Sequence, residues 1–147
     1  MNENQEHWKN MKVNGSCLCK QVKFSFKVKN KYFDACHCSM CRSWGGGPAL
    51  TVESVGEVEF DGEEHITVFN SSEWAQRGFC KHCGSNLFYR LKEHDFCNFN
   101  LGTINDHEDF KFTTQIYIDS KPENYSFSNH TRNMTEEEVL KEFGIEG

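Results

Sequence analysis

The sequence predicts a mainly β fold of antiparallel hairpins and meanders, closed by one short helix near the C-terminus. Three observations carry that expectation. Short runs of alternating apolar and polar residues recur along the 147-residue chain, punctuated by Gly, Asn and Asp. Thirteen phenylalanines, many for this length, suit aromatic-rich strands better than alanine- and leucine-rich helices. Near the end, Thr135 stands three residues before Glu138 ahead of the run VLKEF, the pattern of a helix capping box.

Taken in order, residues 1–11 read as a polar N-terminal lead and residues 12–147 as a single domain. QVKFSFKV (21–28) alternates with period two, so its lysines form the solvated face of a strand. ALTVES, GEVEF, HITVFN, RGF before the second cysteine pair, NLFYRL, FCNFNL and TQIYID are the further strand candidates. In NMTEEEVLKEFG a helix is expected over about 135–143, with Gly144 suited to stop it. That helix carries no chemistry and reads as packing.

Composition excludes several classes of function. The formal charge is −6 with no broad basic face, which argues against nucleic-acid binding. No apolar run approaches the ~20 residues of a membrane span. The opening MNENQEHWKN lacks the apolar core of an export signal, so a cytoplasmic setting is expected. A homodimer through an exposed edge strand is compatible with the pattern.

Eight cysteines in such a chain point to metal before disulfides. They fall as Cys17 and Cys19 (GSCLCK), Cys36, Cys38 and Cys41 (CHCSMC), and Cys80 and Cys83 (CKHCGS), with Cys97 alone. Each group has metal-ligand spacing, and Gly84 follows the CxxC where a knuckle needs a permissive backbone. Zinc is favoured because it accepts four thiolates without redox demands, with an iron–sulfur cluster as the alternative. One pairing scheme joins Cys38 and Cys41 to Cys80 and Cys83, but the 38 intervening residues exceed the ~15–20 usual for such ribbons. The other joins Cys17, Cys19, Cys80 and Cys83 and leaves Cys36, Cys38 and Cys41 as a three-thiolate site. It keeps every local group whole and is preferred.

The fourth position of that second site depends on the remaining candidates. Cys97 shares a strand face with Phe99 and Leu101 and reads as a core thiol. As a ligand it would close the site and make it structural. His37, between two cysteines in an extended CHC, should turn its ring away from their metal. His82 is expected to be exposed, and His7, His65, His94, His107 and His130 read as surface residues. A zinc with a vacant position could bind water or an exogenous thiol as thiolate. Three thiolate ligands weaken it as a Lewis acid and favour sulfur chemistry.

In order, GSCLC, ACHCSMCRSWGG, SSEWAQRGFCKHCGSNLFYR and NLGTIND resemble the glutathione-dependent formaldehyde-activating enzyme family, which includes centromere protein V. The resemblance spans about residues 12–120. It implies a β-tent fold of antiparallel sheets stapled by two zinc ions per chain. It assigns Cys17, Cys19, Cys80 and Cys83 to a structural zinc and Cys36, Cys38 and Cys41 to a catalytic one. The implied activity is a carbon–sulfur lyase or synthase reaction interconverting glutathione plus formaldehyde with S-(hydroxymethyl)glutathione. This chain departs from the family pattern at Ser43, Trp44 and Gly45–Gly47, and at Glu123 and Asn124 after Pro122, two stretches read as candidates to line a substrate mouth.

The expected function is therefore a zinc-dependent carbon–sulfur lyase acting on a small thiol adduct. Arg42 is the candidate for a substrate carboxylate and Trp44 for the rim of the site. Arg77 and Arg90 read as surface or strand-edge charges, and Asp34 as a turn former or a helper near the site. The alternative is a non-catalytic zinc-stabilised scaffold or protein-binding module with a closed second site. A chromatin or nucleic-acid module, suggested by centromere protein V, conflicts with the acidic balance.

Overall fold

A computed structural model describes residues 11–144, so nearly all of the polar lead, with His7, lies outside the described residues. The strands are β1 (Lys12–Ser16), β2 (Lys23–Lys27), β3 (Tyr32–Cys36), β4 (Ala49–Glu53), β5 (Val55–Asp61), β6 (Ile66–Asn70), β7 (Ala75–Cys80), β8 (Asn86–Leu91), β9 (Cys97–Asn100), β10 (Lys111–Ile116) and β11 (Arg132–Met134). Among the described residues two short α-helices accompany them, α1 (Ser39–Gly45) and α2 (Glu136–Phe143). Among the described residues no helix is long and apolar enough to cross a membrane.

The chain forms two compact units with their boundary inside β4. One takes the described residues up to Lys31 together with Val52–Asp109; the other takes Tyr32–Thr51 and the described chain from Phe110 on. In the first unit, β1, β2 and β5 make an antiparallel sheet in the order β1-β2-β5. β6, β7, β8 and β9 make an antiparallel meander. β2 buries Phe24 and Phe26 and exposes Lys23 and Lys27, as its alternation requires. Phe99 of β9 is fully buried and stacks on Phe24 and Phe26, with ring centroids 4.4 and 4.6 Å apart. Phe60 and Phe88 complete this aromatic core.

The interior of the meander overturns one expectation. Arg77, read as a surface or strand-edge charge, is buried, with its guanidinium 4.9 Å from the centroid of the Tyr89 ring. Arg77 stands directly opposite Tyr89 across the β7–β8 ladder, so its guanidinium finds an aromatic face. Arg90 is half-buried; its Nε donates to Gln76 Oε1 at 2.9 Å and its guanidinium lies over the Phe88 ring.

Gly62 shows how closely the first unit is built. Its φ is +88°, and a Cβ there would stand 2.0 Å from the backbone oxygen of Gln21, in the segment that follows Cys19. Gly62→Ala is expected to destabilise the protein by about 1–3 kcal/mol, because left-handed strain and a backbone collision combine. A denaturant midpoint unchanged from wild type would refute that assignment.

The second unit pairs its strands in the order β11-β10-β3-β4. β3 and β4 are antiparallel, whereas β10 runs parallel to both β3 and β11, a departure from the antiparallel pairing of the other ladders. TQIYID was expected to be a strand throughout, but β10 stops at Ile116 because Tyr117 turns to φ 55° and starts a 3-10 turn. Asp34, weighed as a turn former, lies inside β3, paired with Thr51 and Thr114. Thr135 caps α2 in a complete capping box with Glu138, and Gly144 ends it at φ 68°.

Candidate metal centres

The first centre lies wholly in the first unit. Cys17 follows β1 into a turn in which Lys20 adopts φ 65° and the Cys17 N–H donates to the Val22 carbonyl. Cys80 ends β7, and the chain turns at Gly84 (φ 75°), whose N–H donates to the Cys80 carbonyl at 2.8 Å. These two turns bring the Sγ atoms of Cys17, Cys19, Cys80 and Cys83 within 4.8 Å of one another. Backbone N–H groups point at the sulfurs: Val22 donates to Cys17 Sγ and His82 to Cys80 Sγ, both at 3.4 Å.

Ser85, which the sequence reading did not single out, joins the two turns. Its Oγ accepts from the Leu18 N–H at 2.9 Å and lies 3.2 Å from Cys83 Sγ. That hydroxyl is the main reason the Cys83 thiol is held down at about 5. A hydroxyl two positions after a ligand-spaced cysteine was the available signal.

The second centre lies wholly in the second unit. Cys36 ends β3, Cys38 is the N-cap of α1, and Cys41 sits in its first turn. The Cys38 Sγ accepts the Cys41 N–H at 3.4 Å, doing with sulfur what a serine oxygen does at an ordinary cap. The three Sγ atoms lie within 4.8 Å of one another, with Cys36 and Cys41 buried. Hydrogen bonds with the Cys38 and Cys41 thiols, and then burial, push the Cys36 thiol up. Three crowded thiols cannot all ionise beside one another without a cation.

The sequence pattern gives no sign of α1. Trp44, the rim candidate and equally a lid or core aromatic, is half-buried within that helix, and Gly46, at φ 87°, caps it through its N–H to the Arg42 carbonyl. Arg42 is half-buried on the same helix and its Nε donates to the His37 carbonyl at 3.0 Å.

The remaining candidates separate clearly. Cys97 joins neither cluster; it is half-buried, and burial raises its thiol to about 12. His37 is fully buried with both ring nitrogens hydrogen-bonded, Nδ1 to the Tyr125 hydroxyl and Nε2 to Gln115 Oε1, each at 2.8 Å. Burial holds its pKa below the usual range. His82, His94 and His130 are exposed as expected. His65 and His107 are half-buried instead, and His65 Nδ1 lies 2.9 Å from His82 Nε2.

The donor sets fit metal. In the first cluster Cys17–Cys19 and Cys19–Cys80 sulfurs are 3.6 and 3.7 Å apart. Four sulfurs at about 2.3 Å from a tetrahedral zinc stand about 3.8 Å from one another. Either cluster could thus hold an ion, one with four thiols and the other with three.

The family model described as "Glutathione-dependent formaldehyde-activating enzyme" matches residues 12–120, a span that includes all seven clustered cysteines. The chain belongs to the glutathione-dependent formaldehyde-activating enzyme family. An uncharacterised lyase of Schizosaccharomyces pombe is 31% identical over 128 residues, covering 86% of this chain and 93% of that protein. A Halomonas elongata protein, provisionally named a glutathione-dependent formaldehyde-activating enzyme, is 30% identical over 87 residues, covering 53% of this chain and 55% of its own. The crystal structure of a Rhodobacter sphaeroides protein shares the fold, with a TM-score of 0.55, 21% identity, and coverage of 68% of this chain and 99% of that one. The family match ends before Tyr125 and α2, so those features are described by this chain's own geometry.

Proposed function

We propose that this protein is a zinc-dependent carbon–sulfur lyase acting on a small thiol adduct, with S-(hydroxymethyl)glutathione as the representative substrate. One observation carries the reading: the two thiol clusters differ in ligand count, four against three, and Cys97 adds to neither. A four-thiolate zinc is coordinatively closed and structural, whereas a three-thiolate zinc keeps a position for an exogenous ligand. The lyase name of the fission-yeast relative and the formaldehyde-activating name of the Halomonas protein support the reaction class. The scaffold reading needs a fourth protein ligand at the second centre, Cys97 or another side chain, and Cys97 is not in that cluster.

In the reaction, the carbon–sulfur bond of the adduct breaks, its hydroxyl oxygen becomes the formaldehyde carbonyl, and the hydroxyl proton ends on the thiol or solvent. The reverse direction forms the adduct, and neither direction needs an oxidant. Cys36, Cys38 and Cys41 would hold the zinc, which when bound supplies a position that stabilises a substrate sulfur as thiolate. Arg42, anchored through Nε, would turn the rest of its guanidinium toward a substrate carboxylate. Trp44, three residues after the ligand Cys41 on α1, would border that approach. A cytoplasmic setting, where thiols stay reduced, suits both the clusters and the substrate.

The test is a calorimetric titration of glutathione into fully zinc-loaded protein, with a chromophoric chelator reporting released zinc. Wild type is expected to bind and Cys38→Ser to lose binding together with one zinc. A wild type that neither binds glutathione nor changes its zinc exchange would defeat the glutathione reading.

A further inference from the structure

His37 stands between two of the three clustered cysteines yet offers no nitrogen to a metal. Both of its ring nitrogens are engaged, and the direction of each hydrogen bond can be assigned. Gln115 Nε2 donates to Thr131 Oγ1 at 2.9 Å, and Thr131 donates onward to Asn133 Oδ1 at 2.7 Å. The Gln115 oxygen that faces the imidazole can only accept, so His37 Nε2 carries the proton. The other nitrogen of the neutral ring then accepts from the Tyr125 hydroxyl. Four hydrogen bonds thus run in one direction, from Tyr125 through His37, Gln115 and Thr131 to Asn133.

The backbone of His37 is held as firmly as its ring. Its N–H donates to the Ile116 carbonyl at 3.1 Å and its carbonyl accepts from Arg42 Nε. In an extended segment successive side chains point to opposite sides, so a ring locked toward Gln115 and Tyr125 sends the flanking thiols of Cys36 and Cys38 the other way, toward Cys41. Tyr125 is itself braced: Lys121 Nζ donates to the Tyr125 and Pro122 carbonyls and lies 4.8 Å from the centre of the Tyr125 ring. Phe127 packs edge-on against Tyr125 and Phe112. Residues 121–127 therefore meet His37 through the phenol–imidazole hydrogen bond and through the Phe127 ring, 6.1 Å from the imidazole centroid.

We propose that His37, gripped by Tyr125 and Gln115, is the positioning residue of the three-thiol centre and sets how tightly Cys36 and Cys38 hold their metal. The proposal rests on the reading of that trio as a metal site. It makes Tyr125, which lies beyond the span matched by the family model, part of the site's support. It also makes any movement of residues 121–127 a disturbance of the metal ligands.

The test follows zinc release from the full chain to a chromophoric chelator, where each centre is expected to give its own phase. The phase missing in Cys38→Ser belongs to the trio. Tyr125→Phe removes one hydroxyl and no bulk, and His37→Gln keeps a donor near Nε2 while losing the acceptor that meets Tyr125. Both are expected to speed the trio phase about 10-fold, the lower end for loss of an outer-shell partner, and to leave the four-thiol phase alone. In cobalt-loaded protein both should also shift the visible ligand-field bands of the trio. Wild-type release with a wild-type cobalt spectrum in Tyr125→Phe would overturn the proposal, as would equal acceleration of both phases, which is what a merely structural role predicts. If Cys38→Ser loses no phase at all, the trio holds no zinc, and the metal reading falls together with the positioning role.

Discussion

Cys80→Ser is expected to strip the metal from the four-thiol cluster and to unfold the first unit at ordinary temperature. Cys80 is fully buried at the end of β7, accepts the His82 N–H, and stands 3.7 Å from the Cys19 sulfur, 61 residues earlier in the chain. A metal held there joins the turn after β1 to the turn after β7. Structural zinc contributes on the order of 10 kcal/mol of apparent binding free energy at neutral pH, comparable with the ~5–15 kcal/mol stability of a whole domain. A serine oxygen is a poor replacement for a thiolate, so most of that stabilisation should vanish. Metal analysis should find one metal ion fewer per chain, and a thermal melt followed by circular dichroism should lose its cooperative transition. A Cys80→Ser protein with full metal content and a wild-type melt would mean that the cluster is not a structural staple.

Phe99→Ala carries the second large effect. The Phe99 ring is inaccessible to solvent and stacks on Phe24 and Phe26 while touching Phe60 and Phe88. Its strand, β9, has only four residues, so backbone pairing contributes little and the ring is its main anchor. Deleting a buried phenylalanine side chain costs about 3–5 kcal/mol when its neighbours cannot collapse into the space. The neighbours here are themselves stacked rings held by separate strands, which limits collapse. Guanidinium unfolding at equilibrium measures the loss. A cost below ~1 kcal/mol would show that the cluster repacks around the missing ring.

Much of this architecture is legible without coordinates. The alternation in QVKFSFKV, the runs HITVFN and NLFYRL, and the capping box at Thr135 each encode an element locally, and each appears where that local chemistry puts it. The cysteine groups are legible for the same reason, since CxC, CxxC and CHCSMC keep their ligands within one turn of chain. Keeping those groups whole was enough to prefer the pairing that the geometry brings together. α1 escaped because its cap is a sulfur and SMCRSWG shows no apolar period. β1, β3 and β11 escaped because KVNGS, YFDAC and RNM lack the clear alternation of large apolar and polar residues that marks the other strands. Arg77 escaped because its burial depends on the side chains that stand beside it on the same sheet face, Tyr89 of β8 among them.

What the sequence by itself determined is the list of parts: a strand-rich chain, seven cysteines in three ligand-spaced groups, a capped terminal helix, and a family resemblance carried by those motifs. What only the tertiary structure decided is their mutual support. Ser85 reaches across to the Cys17–Cys19 turn, and His37 meets Gln115 and Tyr125, 78 and 88 residues away in the chain. The physical reason is range. Spacing, capping and alternation act over a turn or a few residues of chain, whereas a buried imidazole must find its partners on whichever strand and loop the parallel pairing of β10 with β3 brings beside it.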